Sequence, residues 1–182
     1  MKTLLQIYSG WGGYQTSLVN AISPLTPAQL AYRPMPDRRS VGEIAAHIAF
    51  GRIDWFSRMG APGSTELADQ VRAYYESDGR ISKAVTEDST VIVRWLNASW
   101  KMIEANLTNW TVADLEWTYL QSYVGNTYSV SRQWVVWRIM AHDIHHGGQL
   151  TILLAEQGID PPDLSGQGGH IIEPPVVETP IH

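Results

Sequence analysis

Apolar positions recur at helical spacing through most of this chain, and the pattern breaks wherever glycine, proline and small polar residues gather. The first run covers roughly residues 3–22, carried by Leu4, Leu5, Trp11, Leu18 and Ile22. Gly10, Gly12 and Gly13 weaken it, because a glycine inside a helix costs about 1 kcal/mol relative to alanine. In "LTPAQL", Thr26 is placed to cap a short turn, with Pro27 at the first helical position and Gln29 three residues past the cap. A longer helix opens at "SVGE", where Ser40 and Glu43 have capping-box spacing. Val41, Ile44, Ala45, Ile48, Trp55, Phe56 and Met59 carry its stripe until "GAPGS" stops it, so it spans about 40–59. A short helix fits 66–76, and a third long one fits 89–107 with Ile92, Leu96, Ile103 and Leu107 on its apolar side.

The period then changes. "LEWTYLQSYVGNTYSVS" is rich in β-branched and aromatic residues around "GN", which predicts a small hairpin. The last helix is expected to start near Ser129 or Ser131 and to end at Gly158. Four long amphipathic helices bury their stripes most simply as a bundle. The expected fold is therefore all-α: a four-helix bundle in one domain, residues 1–160, with a hairpin excursion before the last helix. Residues 161–182, "PPDLSGQGGHIIEPPVVETPIH", read as a Pro/Gly-rich tail.

Composition narrows the chemistry. A formal net charge of −5 with no basic run argues against a nucleic-acid partner. The absence of cysteine removes disulfides, thiolate ligands and a cysteine nucleophile. No stretch approaches the ~20 apolar residues of a membrane span, and "MKTLLQIYSGWGGYQ" is too short and too polar in its apolar part for a signal peptide. The expectation is a cytoplasmic protein with no membrane contact. Eight tryptophans and eight tyrosines against two phenylalanines point to a partly polar cavity or an interface, since these rings carry N–H and O–H groups that want partners.

Three of the six histidines fall in "AHDIHHGGQL". Helical residues four apart lie about 40° from each other and about 6 Å along the axis, so His142 and His146 share a face. That face also holds Val135, Ile139, Gln149, Leu150 and Leu153, and it should point inward. His145 falls on a mixed face with Trp134, Arg138, Ala141 and Gly148, nearer the rim. Two imidazoles do not complete a metal site, which usually takes at least three protein ligands when a water fills the rest. The further candidates are His47, His170, His182 and carboxylates. His47 is the best placed, mid-helix on the side of Ile44, Gly51 and Trp55. The pair lacks the glutamate of an H-E-x-x-H protease motif, since Asp143 follows His142.

"LTPAQLAYRP", "RSVGEIAAHIAFGRIDWF" and "VWRIMAHDIHHGGQLTILLAEQG" together resemble the DinB/YfiT-like superfamily over most of residues 1–158. The resemblance implies a four-helix bundle, a homodimer, and a divalent metal (zinc, nickel, iron or manganese) held by His47, His142 and His146. It further implies a small-molecule substrate. The activity would be thiol-dependent S-transfer using a low-molecular-weight thiol such as bacillithiol or mycothiol, metal-dependent hydrolysis, or a non-catalytic, stress-associated role. Relatives often carry arginine after the paired histidines, where this chain has Gly147 and Gly148. Around the triad, Asp54 and Glu43 are placed to orient an imidazole or hold a water and Gln149 to contact a ligand, whereas Asp143 should point away. Trp55, Trp95, Trp100, Trp134 and Trp137 are expected mostly in packing. Arg52 and Arg132 are candidates to meet an anionic substrate but read better as surface residues.

Overall fold

In the computed structural model, which describes residues 3–162, eight helices are joined by short turns and one hairpin. The apolar run of the N-terminus is split in two. α1 (Leu4–Ile7) is closed by a capping box between Thr3 and Gln6, and α2 (Ser9–Ile22) starts after a break at Tyr8. The three early glycines thus lie inside α2. α3 (Pro27–Ala31) has the expected Thr26–Gln29 capping box. α4 (Val41–Arg58) is capped by Ser40 and Glu43, as the spacing predicts. α5 (Ser64–Arg72) is followed by α6 (Lys83–Thr86), a single turn too short to leave a periodic signal. α7 (Ser89–Asn109) takes its cap from Asp88, whose carboxylate accepts from Thr90 and Val91 N–H. A 3-10 turn over Ala113–Glu116 leads into the hairpin.

β1 (Thr118–Tyr123) and β2 (Asn126–Ser131) pair antiparallel, Tyr123 opposite Asn126. The two-residue loop is Val124–Gly125, both with positive φ, so the turn sits one residue before the "GN" dipeptide. α8 (Arg132–Ala155) is capped by Ser131 and ends three residues before Gly158.

The long helices α2, α4, α7 and α8 make the bundle. α4 packs on both α7 and α8, and α2 on α7. α4 is buried on nearly every side, including Val41, Ile44, Ile48, Phe50, Ile53 and Phe56. Ala45, Ala46 and Ala49 keep its girth small enough for neighbours to close in. Among the described residues no helix is long and apolar enough to cross a membrane. The expected tail, from Asp163 onward, lies outside the described residues, as do His170 and His182.

Candidate metal centre

The contact between α4 and α8 brings His47 against His142 and His146. Ring centroids lie 4.9 Å apart for His47–His142, 4.8 Å for His47–His146 and 4.4 Å for His142–His146. One nitrogen from each ring falls within 4.8 Å of the others, and Nε2 of His142 is 3.1 Å from Nε2 of His47. Nitrogens bound tetrahedrally to one ion at ~2.1 Å stand about 3.4 Å apart, so at most about 1.4 Å of closure separates this set from coordination. Among the described residues no carboxylate joins the three.

The close approach depends on Gly51, one turn after His47. A Cβ there would stand 2.9 Å from Cε1 of His142, so only glycine leaves the ring in place. Gly51, four residues after His47 on the same side of α4, is the feature of the sequence that points to this contact.

His142 and His146 are buried and His47 is half-buried. Burial makes the imidazolium form expensive. It pushes His47 down to about 3, helped by the charge of Arg39 and by the other two rings. It pushes His146 down to about 4, against the opposing effect of the Gln149 hydrogen bond. At neutral pH both are therefore uncharged, the form that binds a cation. Gln149 Oε1 lies 2.7 Å from Nδ1 of His146. An amide oxygen only accepts, so Nδ1 carries the proton and Nε2 keeps its lone pair. Gln149, expected to contact a ligand, instead orients His146.

Asp143 is oriented as expected but is fully buried beneath the site rather than idle. Its Oδ2 accepts 2.8 Å hydrogen bonds from Trp11 Nε1 and Arg52 Nε. Arg52, expected at the surface, is also fully buried; its Nη1 donates to Gln15 Oε1 at 2.6 Å and reaches Ser99 Oγ at 3.4 Å. The apolar pattern missed this because a single arginine in a helical stripe carries no sign of a carboxylate 91 residues away. Oδ1 of Asp143 and Nδ1 of His142 both lack hydrogen-bond partners and face each other at 3.8 Å. A shift of about 0.9 Å would join them.

Tyr14 donates to the backbone carbonyl of Asp143, and its hydroxyl fills the space where a Cβ at Gly147 would fall. This explains why glycine follows the histidine pair here. Gly148 meets nothing comparable. Burial raises the Tyr14 phenol well above its ordinary value.

A cavity of about 540 Å³ opens on the histidines, walled by Phe50, Trp55, Tyr75 and Arg138. His145 lies exposed at its rim. Asp54 lines it but pairs with Arg58 at 2.8 Å, and Glu43 is held by its cap and by Arg33; neither orients a histidine. Trp55 and Trp134 pack at 5.4 Å, Trp95 is in the core, Trp100 packs on Trp11, and Trp137 is exposed. Arg132 stacks between Trp110 and Trp117 rather than facing a ligand.

The sequence model of the DinB family matches residues 1–173. No curated protein matches the chain. Among solved structures, the chain is similar to a DinB-like protein from Bacillus cereus, with 18% identity and a TM-score of 0.66; the match covers 90% of this chain and 98% of that one. At that identity the likeness concerns the fold alone.

Proposed function

The chain belongs to the DinB family, and from that premise we propose that it is a divalent-metal-dependent enzyme whose ion is held by His47, His142 and His146. The observation that carries this reading is the convergence of three imidazoles, two of them held neutral by burial, on an open cavity of about 540 Å³. Three nitrogen donors suit zinc, nickel, iron or manganese better than calcium or magnesium, which prefer oxygen. The orphaned Nδ1 of His142 supports the fit. If His142 held a cation through Nε2, its Nδ1–H would be available to Asp143 as Nδ1–H of His146 is to Gln149, the usual outer support of a ligating histidine.

A divalent ion bound there supplies Lewis-acid chemistry: it lowers the pKa of a thiol or a water so that it acts as a nucleophile near neutral pH. The protein's part is positional. Gln149 holds the His146 ring in one tautomer, Asp143 stands 3.8 Å behind Nδ1 of His142, Gly51 leaves room for the His142 ring, and Trp55, Phe50 and Tyr75 wall off a small substrate. The reading extends to S-transfer with a low-molecular-weight thiol, in line with the family resemblance. Turnover of electrophilic substrates by the metal-loaded protein with bacillithiol, mycothiol or other small thiols tests it; ester or amide cleavage without any thiol would replace it with a hydrolase. An ion serving only structure would be expected to have a fourth protein ligand, and none stands among the described residues.

A homodimer fits the same reading. Trp137, Ile144 and Ile152 are exposed along one side of α8, and Ile7 is exposed beside the groove where Ile144 meets α2. A large apolar stripe on a helix otherwise packed in a bundle is what a second copy would cover.

A further inference from the structure

Beside the histidine cavity lies a second concavity of about 300 Å³, and the two share His47 and Tyr75 as walls. Four guanidinium groups line it, from Arg33, Arg38, Arg39 and Arg80, against the two carboxylates of Asp37 and Glu43. The chain as a whole has a formal net charge of −5, so this concentration of positive charge runs against its average. Three of the four are committed: Arg33 to Glu43 at 2.9 Å, Arg80 to Asp78 at 2.7 Å, and Arg38 to Asp37 at a looser 3.8 Å. Arg39 has neither hydrogen bond nor ion pair among the described residues. It immediately precedes the Ser40 cap of α4, and its charge is felt by both His47 and His146.

The opposite wall is built to stay in place. Tyr75 and Ile81 pair as an antiparallel bridge, and the loop between them is tied by Glu76 N–H to Arg80 O at 2.8 Å and Gly79 N–H to Glu76 O at 2.9 Å. Tyr75 keeps its phenol proton, since burial raises its pKa, and can donate into either cavity.

We propose that the basic concavity is a subsite for an anionic oxygen group, a carboxylate or a phosphate, on the small molecule whose reactive end lies at the three histidines, with Arg39 as its principal contact. Placing the reactive end rests on the metal-site reading above; recognition of the anion rests on the arginines. An anion there pairs the one uncommitted guanidinium, whose planar fork suits carboxylate and phosphate alike. It also offsets the repulsion that Arg39 exerts on a cation at the histidines, so anion and metal favour each other's binding.

Calorimetric titration of the full chain, metal-free and at low ionic strength, with inorganic phosphate and with succinate tests this. At least one probe should bind saturably, and which one binds more tightly identifies the group. Arg39→Ala should weaken that binding by about 10-fold or more, the loss typical of a charge-assisted contact. Arg72→Ala, which removes an exposed charge at the end of α5 that lines neither cavity, should change it less than about twofold. Unchanged binding by Arg39→Ala, equal losses in both variants, or no saturable binding of either probe would overturn the subsite. A zinc titration separates the two readings. Arg39→Ala should bind zinc at least as tightly as the wild type, whereas a wild type that binds no zinc removes the metal reading and leaves the phosphate and succinate results standing.

Discussion

Gly51 and Gly147 make the same kind of contribution at opposite ends of the site. Each omits a side chain so that another group can occupy the space: the His142 ring at Gly51, the Tyr14 hydroxyl at Gly147. Gly51→Ala should therefore leave the bundle folded, because Gly51 is only partly buried and alanine favours a helix. The new methyl forces the His142 ring aside, and metal affinity should fall on the order of 10- to 100-fold, as when a ligating histidine loses its orientation. Titration of the variant with zinc, alongside its helical circular dichroism, checks both halves of that expectation. The histidines also set a pH dependence. In the metal-free protein, His47 and His146 take up protons far less readily folded than unfolded, at about 3 and about 4 against an ordinary 6.5. Lowering the pH then draws the equilibrium toward the unfolded chain. Full stability should hold above about pH 6.5 and decline steadily as the pH falls toward 4. Melting temperatures recorded in a chelator across that window would show it; a flat profile would mean that the rings are not buried as described.

At the scale of elements, the long helices and two of the caps were legible because each rests on local chemistry: Thr26–Gln29 and Ser40–Glu43 close capping boxes, and apolar residues recur every three or four positions. The facing of His142 and His146 followed from the same periodicity. What was not legible arises between elements. The break at Tyr8, the single turn of α6 and the 3-10 turn are too short to set a period. The buried Arg52–Asp143 pair joins α4 to α8, and neither residue announces its partner within its own helix. That pair, with Trp11, Gln15 and Ser99 around it, forms a polar floor beneath the three histidines. Removing one charge leaves the other buried and unpaired, so Arg52→Met should destabilise the fold by about 3–5 kcal/mol in urea denaturation. A loss below about 1 kcal/mol would mean that water reaches Asp143.

For the whole molecule, a chain of the DinB family folds so that two of the clustered histidines lie on the last long helix and one on an earlier helix packed against it. The exposed stripe on α8 carries the expectation of a homodimer. Ile144→Glu should shift the chain from dimer to monomer in light scattering without loss of helicity, because Ile144 is 55% exposed and contributes little to the core. The proposed function depends on the ion. The most direct measurement is the metal content of the purified, dialysed protein by elemental analysis, for the wild type and for single alanine variants of His47, His142, His146 and His145. The account predicts close to one divalent ion per wild-type chain, near-complete loss in the first three variants and retention in His145→Ala. A wild type that carries no ion even after incubation with zinc or nickel, or variants that all keep it, would contradict it.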